Sequence, residues 1–342
     1  MTESSVAYKA IVPSNIAFLK YWGKSDEKAQ WPANDSLSMT LSDLNTTTSC
    51  QLAAVDSIAI NGEDIAEHSS HKAWRHLQYL REHFERSEPL KIRSHNSFPT
   101  GCGIASSASG LGAFTTAVLA CWFKAESLSE LEQHDISLEQ LAHLARLGSG
   151  SACRSFYGGY VEWLRNDSPE EQSVKQSFKK DHWSLSDAIA LFSKTEKTVG
   201  STEAHRAAPH SLLFKPRLAI LPERKRRMLA AINNRDLSVL GPLLEEEALE
   251  MHAVIMTAQP ATHYLTEKSC EFLAWLRKAR RDQGCPVYFT IDAGPNIHLI
   301  YETKNHDKVA EFLAQQPYTN DFLWDKVGHG VQLFTDKTSL KD

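Results

Sequence analysis

The chain has 342 residues, 42% hydrophobic and 23% charged, with 37 Lys and Arg against 42 Asp and Glu for a formal net charge of -5. That length and balance suit a chain that buries a core and forms about two domains of roughly 100 to 200 residues, and they exclude disorder as the dominant state. A mildly acidic chain offers no net positive field to a polyanion, so nucleic acid is not an expected partner.

Residues 1–13 show neither a basic stretch ahead of an apolar core nor an Arg-rich amphipathic pattern, so a cytoplasmic location is expected. Residues 7–12 and 37–42 mix β-branched and small apolar residues suited to strands, and Trp74, Leu77, Leu80 and Phe84 recur at helical spacing. Residues 110–123 are nearly all apolar but fall short of the ~20 that cross a bilayer, so a buried helix is expected and a membrane is not. Ser137 with Gln140 is a capping-box signature ahead of Leu138, Leu141 and Leu144, and Gly148 stands where a helix stops, which predicts a helix over 138–147. Strands are read at 159–164, 188–192 and 217–221. The polar stretch 165–183 divides the chain into domains 1–180 and 181–342. The second half then reads as helices around 224–257 and 264–282, followed by strands 287–291 and 297–301. The charge runs 224–227 and 245–247 read as solvated helix faces. The six cysteines are far apart with no metal-ligand spacing, so reduced thiols are the simplest expectation.

Four short segments carry chemistry. Pro-Thr-Gly-Cys-Gly-Ile-Ala-Ser-Ser-Ala-Ser-Gly at 99–110 runs straight into the apolar helix. Glycines let a phosphate chain approach the backbone, the first N–H groups of a helix lack intrahelical partners, and the helix dipole favours negative charge there. Backbone N–H groups with the Ser106 and Ser107 hydroxyls therefore make an anion cradle, or else a Gly/Ser turn that caps a core helix. The pattern GxxxxGK[ST] is absent and GxGxxG fails at Ser106, which disfavours an ordinary P-loop or dinucleotide site. Gly-Ser-Gly-Ser-Ala-Cys-Arg at 148–154 ends in a guanidinium, the group that grips carboxylates bidentately, although a helix cap followed by a surface arginine has the same letters. Asn-Ile-Ala-Phe-Leu-Lys-Tyr-Trp-Gly-Lys at 15–24 sets Lys20 and Lys24 around Tyr21 and Trp22. Asp-Ala-Gly-Pro-Asn at 292–296 puts a carboxylate at the end of a strand, where turn chemistry alone also explains the composition.

Together and in this order, 15–24, Pro-Ala-Asn-Asp-Ser-Leu-Ser-Met-Thr-Leu at 32–41, 96–110, 148–163 and 289–296 resemble the diphosphomevalonate decarboxylase family of the GHMP kinase superfamily. The resemblance spans nearly the whole chain. The Gly/Ser loop alone points to the superfamily, whereas NIAxxKYWGK, GSGSACRS and DAGPN together are specific to the decarboxylase branch. It implies an α+β GHMP kinase fold, with an N-terminal ribosomal-protein-S5-domain-2-like domain that carries the cradle, a C-terminal ferredoxin-like domain, and the active site between them. The implied reaction is ATP-dependent decarboxylation of (R)-5-diphosphomevalonate to isopentenyl diphosphate, with ADP, phosphate and carbon dioxide released and Mg²⁺ accompanying ATP.

The resemblance also implies roles. Asp292 stands beside the 3-hydroxyl as base or orienter, Lys20 pairs with Asp292 and stabilises the transferring phosphoryl group, and Arg154 fixes the carboxylate that leaves. Tyr21, Lys24, Ser151 and Ser201 are implied at the substrate, and Asn96, Gly103, Ala105, Ser106, Ser107 and Lys197 at ATP. The metal ligands stay unassigned, and a homodimer is expected from the family alone. The chain departs from the usual pattern at Asp35, which adds negative charge near an anionic substrate, at Gly101-Cys-Gly103, and at Ser97 beside the cradle. The competing readings are a decarboxylase of 5-phosphomevalonate, a kinase that stops after phosphorylating the 3-hydroxyl, and a nucleotide-binding protein without catalysis.

Overall fold

The computed structural model describes residues 6–67, 71–98, 106–169, 171, 173–193 and 199–336. In chain order these form β1 (Ala7–Leu19), β2 (Lys24–Asp26), β3 (Trp31–Pro32), β4 (Ser36–Leu52), β5 (Ser57–Ile60), β6 (Glu63–Ile65), α1 (Lys72–Phe84) and β7 (Leu90–Asn96). Then come α2 (Ser106–Phe123), α3 (Leu128–Glu132), α4 (Leu138–Gly148), a 3₁₀ segment (Gly150–Phe156), β8 (Tyr160–Leu164), β9 (Ser173–Phe178) and β10 (Leu185–Ala190). The remainder holds α5 (Ser201–Ala207), α6 (Phe214–Asn234), α7 (Leu237–Thr257), α8 (Glu267–Gln283), β11 (Tyr288–Thr290), β12 (Ile297–Glu302), α9 (His306–Leu313), β13 (Phe322–Lys326) and β14 (Gln332–Asp336).

The long strands β1 and β4 pair antiparallel and form the spine of one sheet, ordered β14-β1-β4-β7-β5-β6, with β8 and β9 continuing from the first half of β4. Alternation along β4 from Leu44 to Cys50 turns one face inward, where α2 lies across it. That helix has the length and composition of a membrane span, yet 78% of it is buried in the protein. Its Phe114, Val118 and Cys121 pack with Leu77 and Leu80 of α1 and Leu141 and Leu144 of α4.

A second, antiparallel sheet runs β11-β12-β10-β13. Its Leu299 and Tyr301 face α8 and α9, while Leu185, Ile189 and Ile300 belong to an apolar seam shared with the first sheet. Into that seam Ile16, Phe18 and Leu19 of β1 and Leu37, Met39 and Leu41 of β4 pack with Leu221 and Met228 of α6 and Leu240, Leu243 and Leu244 of α7. The seam places the end of β1 against α7 and the loop after β11.

Two sequence expectations are overturned here. Residues 217–221 are not a strand but the first half of α6. A short apolar run reads either way, and Pro222 suggests a boundary, but the buried positions Phe214, Arg217, Leu221, Arg224, Met228 and Ile232 keep a helical period straight across it. The single helix expected over 224–257 is two, because Arg235 takes a left-handed φ of 55° and the Asp236 side chain then caps the N–H groups of Ser238 and Val239. Helix α4, by contrast, starts on the Ser137 cap and ends at Gly148. Cys50, Cys121, Cys153, Cys270 and Cys285 are free thiols.

Candidate active site

A cleft of about 860 Å³ opens where the end of β1, the start of α2, the 3₁₀ segment, the start of α5 and the loop after β11 converge. Lys20, Tyr21, Lys24, Ser106, Ser107, Ser151, Arg154, Ser201 and Asp292, widely separated in sequence, all line it. Asn96 does not: its Oδ1 accepts from Thr46 Oγ1, its N–H bonds Asn61, and it lies outside the described lining. Gly103, Ala105 and Lys197 lie outside the described residues.

Lys20 follows the point where β1 slips register against β4 and turns its side chain inward, leaving it 1% exposed. Its Nζ donates to Asp292 Oδ1 at 2.6 Å and to the Ala17 carbonyl at 2.7 Å. Burial pulls the ammonium pKa down against the opposing pull of Asp292 and Glu247. Burial would raise Asp292, but Lys20, His298 and Arg154 outweigh it and hold the carboxyl below its ordinary range. The Asp292 side chain is 23% exposed, so the ionised carboxylate has one oxygen on Lys20 and access to the cleft. Behind it, His252 Nε2 donates to the Asp292 carbonyl at 3.1 Å, and burial drops that imidazole to a pKa of about 4, which makes it a neutral donor.

Arg154, also buried, is held from two sides. Nε and Nη2 donate to Asn15 Oδ1 at 3.3 and 3.1 Å, and Nη1 donates to Ser36 Oγ at 2.8 Å. Among the described residues no carboxylate lies within ion-pair distance of it, and Asp292 acts on it through space across the cleft. Tyr21 packs its ring between Trp163 and His205 at centroid distances of 4.7 and 4.4 Å, and among the described residues its buried hydroxyl has no hydrogen-bond partner. A Cβ at Gly150 would lie 2.8 Å from that hydroxyl, so this segment follows the tyrosine closely only because residue 150 is glycine. Ser107 Oγ lies 3.2 Å from Ser149 Oγ, joining the start of α2 to the Gly-Ser-Gly segment.

The rest of the cleft is cationic. Lys28, Lys72, Arg75 and Arg206 join Lys20, Lys24 and Arg154, Arg206 pairing with Glu27 at 2.6 Å, and the only carboxylates in the described lining are Glu27, Glu203 and Asp292. Burial lowers the Lys24 and Lys72 ammonium pKa values, and neighbouring cations add to that. Such a cluster is built for a polyanion. Sequence reading missed Lys28, Lys72, Arg75 and Arg206, although Lys72 and Arg75 sit at an i,i+3 spacing on α1 that places them side by side.

Expectations for Asp35 and the charge runs change, and the role of Ser97 is added. Asp35 does not load the cleft with negative charge: Lys225 Nζ sits 2.6 Å from its Oδ2, the Arg165 N–H bonds its Oδ1, and it is not in the described lining. Ser97 ties the end of β7 to β4, accepting from Asn45 N and donating to the Asp43 carbonyl. The charge runs are not uniformly solvated. Arg226 pairs at the surface with Glu223, but Arg224 is buried on Glu247 and Glu250, Glu245 is buried with Arg277 and Arg280, and Glu247 is buried with Arg217 and Arg224. Consecutive helix residues are ~100° apart, so a run of like charges must send some members inward, where only a partner of opposite sign makes them tolerable.

Comparison with known proteins identifies the family. Residues 12–175 match the family model for the diphosphomevalonate decarboxylase-like N-terminal domain, and residues 188–336 match that for the mevalonate 5-diphosphate decarboxylase C-terminal domain. The chain is 33% identical to the diphosphomevalonate decarboxylase of Saccharomyces cerevisiae over 88% of its own length and 79% of the relative's, and 32% identical to that of Homo sapiens over 90% and 79%. Among solved structures, mevalonate diphosphate decarboxylase from Enterococcus faecalis superposes with a TM-score of 0.85 at 30% identity, covering 97% of this chain and 100% of the other. A complex of MDDEF with MVAPP, AMPPCP and magnesium gives 0.87 at 31% identity, with the same coverage. The architecture is the α+β GHMP kinase fold, and the chain belongs to the diphosphomevalonate decarboxylase family.

Proposed function

We propose that this chain is an ATP-dependent decarboxylase that converts (R)-5-diphosphomevalonate to isopentenyl diphosphate, ADP, phosphate and carbon dioxide. The observation that carries the reading is the Lys20–Asp292 contact at 2.6 Å in the same cleft as Arg154, a buried guanidinium without a described acidic partner. The tertiary 3-hydroxyl is a poor leaving group. Asp292 accepts or orients its proton as the oxygen attacks the γ-phosphorus of ATP, and Lys20 stabilises charge on the phosphoryl oxygens. The C–O bond then breaks, its electron pair leaving with phosphate. The bond to the carboxylate supplies the electrons for the new double bond, and that carbon leaves as carbon dioxide. Arg154 holds the carboxylate in line until it departs.

Lys24, Lys28, Lys72, Arg75 and Arg206 favour a diphosphate over a single phosphate at the far end of the substrate, with Tyr21, Ser151 and Ser201 between. Ser106 and Ser107 at the start of α2 suit the ATP phosphates. Ser106 or Ser107 would help hold a Mg²⁺ that accompanies the ATP phosphates. Bound there, the ion would neutralise phosphate charge. The reading divides the chain near residue 180, with Lys20 and Arg154 from the first part and Asp292 from the second. It further takes the enzyme as a homodimer, which sedimentation tests, located in the cytoplasm, which cell fractionation tests.

The test is an ADP-release assay with (R)-mevalonate, its 5-phosphate and its 5-diphosphate in parallel, with the organic product identified. Isopentenyl diphosphate and carbon dioxide from the diphosphate alone are expected, with Asp292→Asn inactive but folded. Isopentenyl phosphate from the monophosphate moves the protein to the sister activity. ADP without carbon dioxide makes it a kinase.

A further inference from the structure

Beyond the β1 register slip, the N–H and C=O of Lys20 no longer have strand partners, and buried backbone groups must find others. They do so on side chains from far along the chain. Glu247 Oε1 accepts the Lys20 N–H at 3.0 Å, while Asn34 Nδ2 and Arg217 Nη2 donate to the Lys20 carbonyl at 3.0 and 3.3 Å. Glu247 is fully buried and is gripped by Arg217 and by Arg224 Nη1, the latter at 2.7 Å, and Arg224 is braced in turn by Glu250 at 2.6 and 2.7 Å. Among the described residues Arg217 Nε and Nη1 have no partner. None of Glu247, Arg217 and Arg224 is in the described lining of the cleft.

Glu247 and His252 lie on the same helix, α7, about one and a half turns apart. Glu247 holds the peptide of Lys20, and His252 holds the peptide of Asp292. One rigid element thus fixes both halves of the ion pair. We propose that Glu247 is a positioning residue for the reaction: clamped by Arg217 and Arg224, its carboxylate fixes the Lys20 backbone so that the ammonium stays on Asp292. This rests on the reading of the site given above.

The Glu247 carboxylate does two separable things, accepting a hydrogen bond and carrying charge. Glu247→Asp keeps the charge but withdraws it by one methylene from the Lys20 N–H. Glu247→Gln keeps an oxygen in reach but loses the charge that Arg217 and Arg224 require. The expected outcome is reciprocal. Glu247→Asp loses about 10- to 100-fold in kcat, the worth of one charge-assisted hydrogen bond, with KM for both substrates within about twofold. Glu247→Gln loses no more than about fivefold in kcat but melts at a clearly lower temperature.

The pH profile of kcat/KM separates positioning from mere folding. Asp292 faces Lys20, Arg154, His298 and His252, and a displaced Lys20 no longer stabilises its charge, so the acid limb moves to higher pH in Glu247→Asp and stays put in Glu247→Gln. Activities that merely follow the folded fraction in both variants, with unmoved profiles, overturn the proposal. Should neither variant fold, Arg217→Lys, which retains a cation for Glu247 but cannot span to the Lys20 carbonyl, must show the same kcat loss and limb shift. A wild-type enzyme silent with 5-diphosphomevalonate overturns the reading of the site, and this proposal with it.

Discussion

Arg154 gives the sharpest test of the site, because its donors can be counted. A guanidinium has five N–H groups. Nε, one hydrogen of Nη1 and one of Nη2 are engaged by Asn15 and Ser36, which leaves one on each terminal nitrogen for a ligand. Two bonds to a carboxylate, at about 1.5–3 kcal/mol each, amount to about 3–6 kcal/mol. Arg154→Met should therefore lower kcat/KM by roughly a hundredfold to ten-thousandfold. Removing the side chain also strips partners from Asn15 and Ser36, at about 1–3 kcal/mol of stability, so rates must be taken per folded molecule from a thermal melt on the same sample. Arg154→Lys should fall between, since one ammonium cannot keep both anchors and also meet a carboxylate bidentately. The assay is steady-state ADP release coupled to quantified isopentenyl diphosphate. A folded Arg154→Met enzyme within tenfold of wild type would refute the assignment of its free donors to the leaving carboxylate.

Two further perturbations act on different links. Gly150→Ala puts a methyl 2.8–3.0 Å from the Tyr21 hydroxyl and ring, which Trp163 and His205 keep from yielding; the substrate KM should rise about tenfold with kcat less affected, and an unchanged KM contradicts that geometry. His76 and His252 are buried with pKa values lowered to about 4, mainly by desolvation. Between pH 6.5 and 4 the unfolded chain binds a proton on each imidazole that the native protein does not, so stability is full above about 6.5 and falls toward pH 4, by up to about 1.4 kcal/mol per pH unit for each histidine. Denaturant titrations across that window should show the slope, and His76→Gln, still able to bond Thr115, should remove up to about 1.4 kcal/mol per pH unit of it; an identical slope in the variant speaks against His76 as a source.

What could be read in advance was what short-range chemistry dictates. The Ser137 cap, the glycine closing α4 and the strand ends flanking Asp292 each depend on a few neighbouring residues, and the four motifs that line the cleft are contiguous strings. What could not be read depends on partners far away. Glu247 meets Arg217 on a neighbouring helix and Lys20 at the other end of the chain, and nothing near 245–247 distinguishes the inward glutamates from the exposed Glu246. Asp35 looked adverse to an anionic ligand because Lys225, its partner, lies on α6. The missed cations have the same origin: Lys72, Arg75 and Arg206 are ordinary helix residues until the fold turns them toward one cleft.

The Lys20–Asp292 contact joins the two halves of the protein, so the docking of one half on the other is itself part of the site. The apolar seam holds the halves together but is non-directional, and alone it would tolerate small slips of one sheet over the other. Buried polar contacts around it do not. Asp325 on β13 accepts the N–H groups of Ser42, Asp43 and Leu44 on β4, and Lys225 on α6 reaches both Asp35 and Glu162 at 2.6 and 2.8 Å. Each is satisfied only in one register, since a slip of an ångström leaves a buried carboxylate unpaired at several kcal/mol. A contact of 2.6 Å needs that kind of constraint: the seam supplies the adhesion, the polar clamps supply the register, and Glu247 and His252 carry that register from α7 to the two side chains that must meet.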